Sequence, residues 1–323
     1  MLRKSLKQPP KQEFNMIVVG GENLIDYVQT GYDGGLPVYT AIPGGSCYNV
    51  ALAAARQGNP VSYITPISSD TLGELLASRL LADGVTLAAP RDIAPTSLAV
   101  VSVIDSIPSY QFYRQGTAER QITADTLNKN TDAAVKVFHI GSLALIDGDD
   151  AQAWENHFYT LHDRGVITAL DPNARPIVVT NKSPYIDRLL RMLAKTIVLK
   201  LSDEDLEYIF PDLTLEEAFD KICALSSASL MVLTQGAKGA IARSKISQTT
   251  VPAGIASPLV DTVGAGDTFM GTLLGQIHQL NLNAHDLAHL DGEGLTALIS
   301  RAAKAAAINC QSAGCNPPYL KDL

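Results

Sequence analysis

The feature that most constrains the fold is a rhythm. Short, almost wholly apolar runs alternate with stretches of helical periodicity from Met16 onward. The runs cover residues 16–19, 61–65, 98–104, 137–140, 166–170, 196–201, 230–234 and 240–243. Strands without polar alternation need cover on both faces, which a mostly parallel sheet between two helical layers supplies. The intervening helices carry readable punctuation. Asp70 is placed to cap a helix whose apolar face is Leu72, Leu75, Leu76 and Leu80, with Gly84 just past its end. Residues 49–57 form an alanine-rich helix stopped by Gly58. Residues 27–43 and 95–116 break the rhythm. The first is rich in Gly, Tyr and Thr, and the second reads as two strands around a turn at 106–109. They form either a small separate β-sheet or two surface hairpins that never meet.

At 323 residues the chain has room for two domains, or for one large α/β domain with an appendage. Lys and Arg number 25 against 33 Asp and Glu, a net charge of −8 that excludes wrapping of a nucleic-acid backbone. No apolar run reaches the roughly 20 residues a bilayer span needs, so no membrane partner is expected. Residues 1–15 are polar, lack the apolar stretch of a secretory signal and read as a disordered tail, leaving Met16 as a second candidate start. Four cysteines make no disulfide framework in a chain this long, so reduced thiols and a cytoplasmic location are expected. Cys310 and Cys315 lack a second ligand pair for zinc and read as buried thiols.

The strongest local signal is DTVGAGD at 261–267. Gly264, Ala265 and Gly266 allow a tight turn, and a helix follows with Phe269, Leu273, Ile277 and Leu280 on one face. A small-residue turn opening a helix aims several N–H groups at one point, where the helix dipole also favours negative charge. Asp267 would repel a resting phosphate there, yet it can take a proton from a hydroxyl attacking one. Equally open on residue types is that Asp267 caps the helix. The Gly264-Ala-Gly266 triplet is not a dinucleotide fingerprint, because Phe269 holds the third glycine position. No G-x-x-x-x-G-K-[ST], G-x-S-x-G or H-E-x-x-H occurs.

A second signal is Pro43-Gly44-Gly45, followed by Asn49 at a helix start, with Glu22 and Asp26 just after the first strand. A diglycine lets a ligand approach the backbone, and converging acidic and amide groups suit a polyhydroxylated molecule such as a sugar. Taken singly, each is also an ordinary cap or loop residue.

Read together, the diglycine with Asn49 and the DTVGAGD segment resemble the paired signatures of the ribokinase-like, or PfkB, carbohydrate kinases, over residues 16 to about 318. Thr234-Gln-Gly236-Ala-Lys-Gly239 resembles the family's T-x-G-x-x-G, and the segment 200–205 stands where the family has N-x-x-E. Residues 305–310 resemble the adenine-side helix. Segments 21–26, 112–118, 171–176, 200–203, 306–310 and 316–318 look most like bacterial fructokinases. The chain departs from the pattern at Ser202 and Asp205, which replace Asn and Glu, at Thr65 and Ser68 in place of glycines, and at Thr272 in place of Ala or Gly.

The resemblance implies a three-layer α/β/α sandwich with a small β-sheet lid. Residues 16–26, 44–94 and 117–323 would form the main domain, and 27–43 and 95–116 the lid. It implies an ATP-dependent phosphotransferase acting on a monosaccharide, D-fructose giving fructose 6-phosphate. Asp267 would be the general base and the backbone of Gly264, Ala265 and Gly266 the anion hole. Asp26, Gly44, Gly45, Asn49 and Arg114 would meet the sugar, with Arg175 a further candidate. Lys200, Ser202, Thr234, Gly236, Gly239 and Asn309 would meet the nucleotide. Mg²⁺ would sit near Asp205 through water, and a monovalent cation such as K⁺ beside Asp261. A homodimer through the lid follows the family habit. Ribose, 2-keto-3-deoxygluconate and nucleosides are the alternative acceptors, and a non-catalytic sugar- or nucleotide-binding regulator is the alternative of another class.

Overall fold

The computed structural model describes residues 16–104 and 107–323. The tail expected over 1–15 and the turn residue Ser106 lie outside the described residues. In chain order the strands are β1 (Met16–Val19), β2 (Leu24–Asp33), β3 (Leu36–Gly44), β4 (Val61–Tyr63), β5 (Thr86–Leu87), β6 (Ser97–Ile104), β7 (Ile107–Tyr113), β8 (Val135–Gly141), β9 (Ile167–Asp171), β10 (Val198–Ser202), β11 (Leu230–Thr234), β12 (Ala240–Arg243) and β13 (Gln248–Val251). Nine of them make one sheet in the order β13-β12-β11-β10-β9-β8-β1-β4-β5. Its pairs are parallel from β5 to β11, and β12 and β13 close one edge antiparallel.

Alternation along each strand divides the core in two. Ile17, Val19, Val137, Ile167, Ala169 and Val198 face the helices Ser46–Arg56, Thr71–Ala82, Ala265–Gln279 and Gly292–Asn309. Val18, Phe138, Ile140, Leu170, Leu199 and Leu201 face the other layer, which includes Gly148–Asp163, Lys182–Met192 and Leu215–Leu225. Burying both faces of every inner strand explains why these runs are mostly apolar, with buried His139, Thr168 and Lys200 as exceptions. The expected α/β/α sandwich is therefore present.

The remaining four strands form a separate sheet, β3-β2-β6-β7. Two antiparallel hairpins are joined by parallel pairing of β2 with β6. The two rhythm-breaking segments thus meet in one sheet, but it is longer than expected. β2 begins at Leu24 and β3 runs to Gly44, so Asp26 and Gly44 belong to this small sheet. Residues 107–109, expected in a turn, are strand.

Three expectations about helices need correction. The alanine-rich helix starts at Ser46, because Gly45 caps it without offering a side-chain signal. Leu75 is 45% exposed; the buried face of its helix is Gly73, Leu76, Ala77 and Leu80. Leu280 lies beyond its helix and is exposed, while Phe269, Leu273 and Ile277 are buried as expected.

Asp70 does cap its helix. Its Oδ1 accepts from Gly73 N at 2.7 Å and from Thr96 Oγ1 at 2.6 Å, and Oδ2 accepts from Thr96 N at 2.9 Å. It therefore ties a helix start to the entry of β6. Asp70→Ala is expected to cost about 1–2 kcal/mol in urea denaturation at neutral pH. Burial pushes this carboxyl upward, but the bonds from Thr96, Gly73 and Ser68 outweigh it and hold the group below its ordinary value. Its contribution is thus complete above the unfolded-state pKa and disappears as pH falls through the lower folded value, so wild type and variant should converge in acid.

Candidate active site

The parallel strands of the large sheet all point their carboxyl ends at the same edge, where open α/β sheets bind ligands. Gly20 to Glu22 follow β1, Asp171 and Asn173 close β9, Lys200 and Ser202 close β10, and Thr234 closes β11. The helices Ser46–Arg56 and Ala265–Gln279 lie side by side on this edge. A Cβ on Gly271 would stand 2.6 Å from Ala53 Cβ, so only glycine allows so close a crossing. Their N-termini therefore meet.

Asp267 is the third residue of the second helix, which Gly264 caps in a left-handed conformation with φ 75°. It makes no capping hydrogen bond. Instead its buried carboxylate bridges to the neighbouring helix. Oδ1 accepts from Ser46 Oγ at 2.7 Å and from Asn173 Nδ2 at 3.3 Å, and Oδ2 accepts from Asn49 Nδ2 at 2.8 Å. Asn173 Nδ2 also donates to Ser46 Oγ at 2.7 Å. The reading of Asp267 as a helix cap fails on this geometry.

Among the described residues the N–H groups of Gly264, Gly266 and Asp267 find no protein acceptor, whereas Ala265 N donates to Thr262 O at 3.2 Å. The expected donor set thus loses Ala265 and gains Asp267. Lys200 adds a charge. Its buried Nζ donates to Asp171 Oδ2 at 2.7 Å and lies 3.3 Å from where a Cβ on Gly266 would stand. Burial pulls the ammonium down, but Asp171, Asp205 and Asp267 outweigh it and hold it above its ordinary value. Burial pushes the Asp171 carboxyl up to about 6 against the pull of Lys200.

Across the cleft, Asp26 projects from β2. A Cβ on Gly44 would sit 2.3 Å from Asp26 Oδ2, and one on Gly45, where φ is 113°, would sit 2.6 Å from the Glu22 carbonyl. Gly45 is thus required by the Glu22 backbone and its own positive φ, while a side chain at 44 would displace the Asp26 carboxylate. Burial, with a smaller push from Asp267, raises Asp26 to about 6, while the Arg175 guanidinium pulls it back. Arg114 is engaged otherwise. Its guanidinium forks onto Glu119 at 2.8 and 3.1 Å and donates to the Leu143 carbonyl at 3.2 Å, all buried.

On the far side, Ser202 pairs with Thr234 across β10 and β11. Ser202 and Asp205 form a capping box for the helix Asp203–Ile209. Asp205 Oδ2 accepts from Ser202 N and Oγ, both at 2.8 Å, and Oδ1 accepts from Ala174 N at 2.7 Å. Gly236 borders open space, and Gly239 packs against the Val251 carbonyl. Asn309 is buried; its Nδ2 donates to Val263 O at 2.8 Å and its Oδ1 accepts from Asn316 N at 2.7 Å, so it fastens the loop before Gly264. Asp261 braces the same loop, accepting from Val263 N and Gly314 N. Cys310 and Cys315 are buried free thiols.

Asp26, Gly44, Gly45, Asn49, Lys200, Gly266 and Asp267 therefore converge. Ser46, Asn173 and Asp171 join them without having been singled out by the sequence. The spacing of Ser46 and Asn49, three residues apart on one helix face, could have found the first. Asn173 offers no such signal, since its role depends on a loop with φ 37°.

The chain is similar to known proteins along most of its length. Residues 16–322 match the pfkB family carbohydrate kinase. It is 34% identical over 291 residues to a fructokinase of Rhizobium leguminosarum bv. trifolii, covering 87% of this chain and 85% of that one. It is 32% identical over 275 residues to probable fructokinase-4 of Arabidopsis thaliana, covering 82% and 83%. The crystal structure of the Xylella fastidiosa fructokinase with bound ATP superposes with a TM-score of 0.83 at 26% identity, covering 93% of each chain. On this match, and on the two glycine-flanked signatures that meet at Asp267, the chain belongs to the pfkB family of carbohydrate kinases.

Proposed function

We propose that the chain transfers the γ-phosphoryl group of ATP to D-fructose, giving fructose 6-phosphate. One observation carries the reading: a buried carboxylate, Asp267, held by three donors beside the free N–H groups of its own helix and the Lys200 ammonium. A base next to an anion hole is what in-line phosphoryl transfer to a hydroxyl requires. Fructose as acceptor rests on the relatives named fructokinase, and ATP as donor on the nucleotide-bound neighbour.

In this mechanism Asp26 and the Gly44–Gly45 backbone hold the sugar, and the buried Asn49 Oδ1, without a hydrogen-bond partner among the described residues, lies beside them. Its hydroxyl proton passes to the Asp267 carboxylate as the oxygen's lone pair attacks the γ-phosphorus, and the bond to the ADP oxygen breaks. Charge on the transferring group meets the N–H groups of Gly264, Gly266 and Asp267 and the Lys200 ammonium. Ser202, Thr234, Gly236 and Gly239 line the nucleotide side, while Asn309 shapes it through Val263. Mg²⁺, when bound, neutralises phosphate charge. Asp205 has both oxygens committed to backbone and hydroxyl donors, which fits a hydrated ion at second hand better than direct ligation. A monovalent cation would sit beside Asp261, whose carboxylate already accepts from Val263 N and Gly314 N. The small sheet closes over the sugar and keeps out water that would otherwise take the phosphoryl group. Its hairpin leaves Leu36 and Val38 exposed on one face at 72% and 42%, and through this face a homodimer would pair.

Asp267→Asn should lower kcat for fructose-dependent ADP release by roughly 10²–10⁴-fold with little change in melting temperature. Turnover near wild type in that variant would remove the base from the mechanism. The KM for fructose should rise as pH falls through about 6, because Asp26 then gains a proton and loses an acceptor; Asp26→Asn should flatten that dependence. Lys200→Met leaves Asp171 buried without its cation, so stability should drop by about 3 kcal/mol while the KM for ATP rises. Unchanged values for both would place Lys200 outside the site.

A further inference from the structure

We propose that Glu22 is a positioning residue for the base, anchoring the first turn of the helix Ser46–Arg56 so that Ser46 and Asn49 present their donors to Asp267. The inference rests on the reading of Asp267 as the base and goes beyond it to the group that sets its orientation.

Glu22 is 1% exposed, and its Oε1 accepts from Ser46 N at 2.7 Å. That N–H opens the helix, where Gly45 supplies no capping side chain. A carboxylate from the loop after β1 therefore does the capping, and its charge suits the positive end of the helix dipole. The Glu22 carbonyl lies 2.6 Å from where a Cβ on Gly45 would stand, so backbone and side chain of one residue clasp the same turn. Two of the three donors to Asp267 leave from that turn, Ser46 Oγ and Asn49 Nδ2. The third, Asn173, is itself bonded to Ser46 Oγ. A shift of the turn would thus move the whole donor set together.

The other carboxylate oxygen, Oε2, is buried without a hydrogen-bond partner among the described residues. Burying that second oxygen costs desolvation that the attraction of Arg114 offsets in part, so Glu22 is an expensive way to cap a helix. Glu22 does not reach Asp267 directly and is no catalytic residue. Titratable or charged neighbours face it from several elements: Arg114 and Glu119 at the end of the lid, Cys47 on the anchored helix, Tyr63 on β4 and Tyr185 across the second layer. Burial raises its carboxyl to about 7, with Arg114 pulling down and Glu119 pushing up. The charged form, which accepts from Ser46 N more strongly than the neutral acid, is therefore lost as pH falls through 7.

The test compares Glu22→Ala, Glu22→Gln and Asp267→Asn with wild type, measuring kcat and KM for fructose with Mg-ATP from pH 6 to 9, alongside thermal melting. Glu22→Ala should lower kcat at pH 8 on the order of tenfold or more, the scale of a small misplacement of a reacting group, with KM for fructose changed far less. Glu22→Gln keeps the acceptor and loses the charge. It should fall between the two, and its kcat should no longer rise through pH 7. Wild-type kcat in Glu22→Ala would overturn the proposal, as would a wild-type rise through pH 7 in Glu22→Gln, which decides the matter alone if the alanine variant does not fold. Loss of activity in Asp267→Asn with both Glu22 variants normal would leave the base standing and this role refuted. Full activity in Asp267→Asn would instead overturn the base and with it the premise.

Discussion

Everything in the site depends on one buried carboxylate having enough donors. Taking Asp267 out of water costs several kcal/mol unless hydrogen bonds replace the lost hydration. Those bonds come from a different helix and from the loop after β9, so the base cannot be placed without both. The close crossing at Gly271 is part of the same requirement. So is the bond from Gln57 Nε2 to Thr272 Oγ1 at 2.6 Å one turn further along. Packing of two helices and placement of a base are thus a single structural demand.

Seen this way, the departures from the family pattern have local reasons. Thr272 replaces a small residue and is met by Gln57, which locks the helix pair by a hydrogen bond instead of by contact alone. Thr65 accepts from Gly21 N at 2.9 Å and so steadies the loop that carries Glu22. Ser68 accepts from Asp70 N, supporting the turn before the capped helix. Asp205, shorter than Glu, folds back onto Ser202 and Ala174 and steadies the loop bearing Asn173. Each substitution contributes to positioning, and none occupies the space where Asp267, Gly266 and Lys200 converge.

Much of the fold was legible because burial on two faces leaves a direct mark: β1, β8, β9, β10 and β11 are mostly apolar, and Asp171 and Lys200 among the exceptions belong to the site. The catalytic turn was legible because its small residues and its acid are contiguous. What escaped notice depends on long-range register. Lys200 and Asp171 pair only because β9 and β10 lie adjacent, and nothing local links residues 29 apart. Ser46 was hidden by a helix start capped from elsewhere, since glycine at the cap gives no side-chain signal. The small sheet was underestimated for a related reason: β2 pairs with β6 over Leu24–Val28 through a non-local parallel register that carries β2 upstream of residue 27. Leu75 misled because leucine content was read where helical rotation, which puts Gly73 and Ala77 inside, should have decided.

The most direct test of the central claim is ADP release from Mg-ATP by the purified protein, measured in parallel with fructose, ribose, 2-keto-3-deoxygluconate, glucose and mannose. The account predicts sugar-dependent release with the highest kcat/KM for fructose and a phosphorylated fructose as product. A higher kcat/KM for another sugar would contradict the substrate, and ADP release that no sugar stimulates would contradict the phosphotransfer itself.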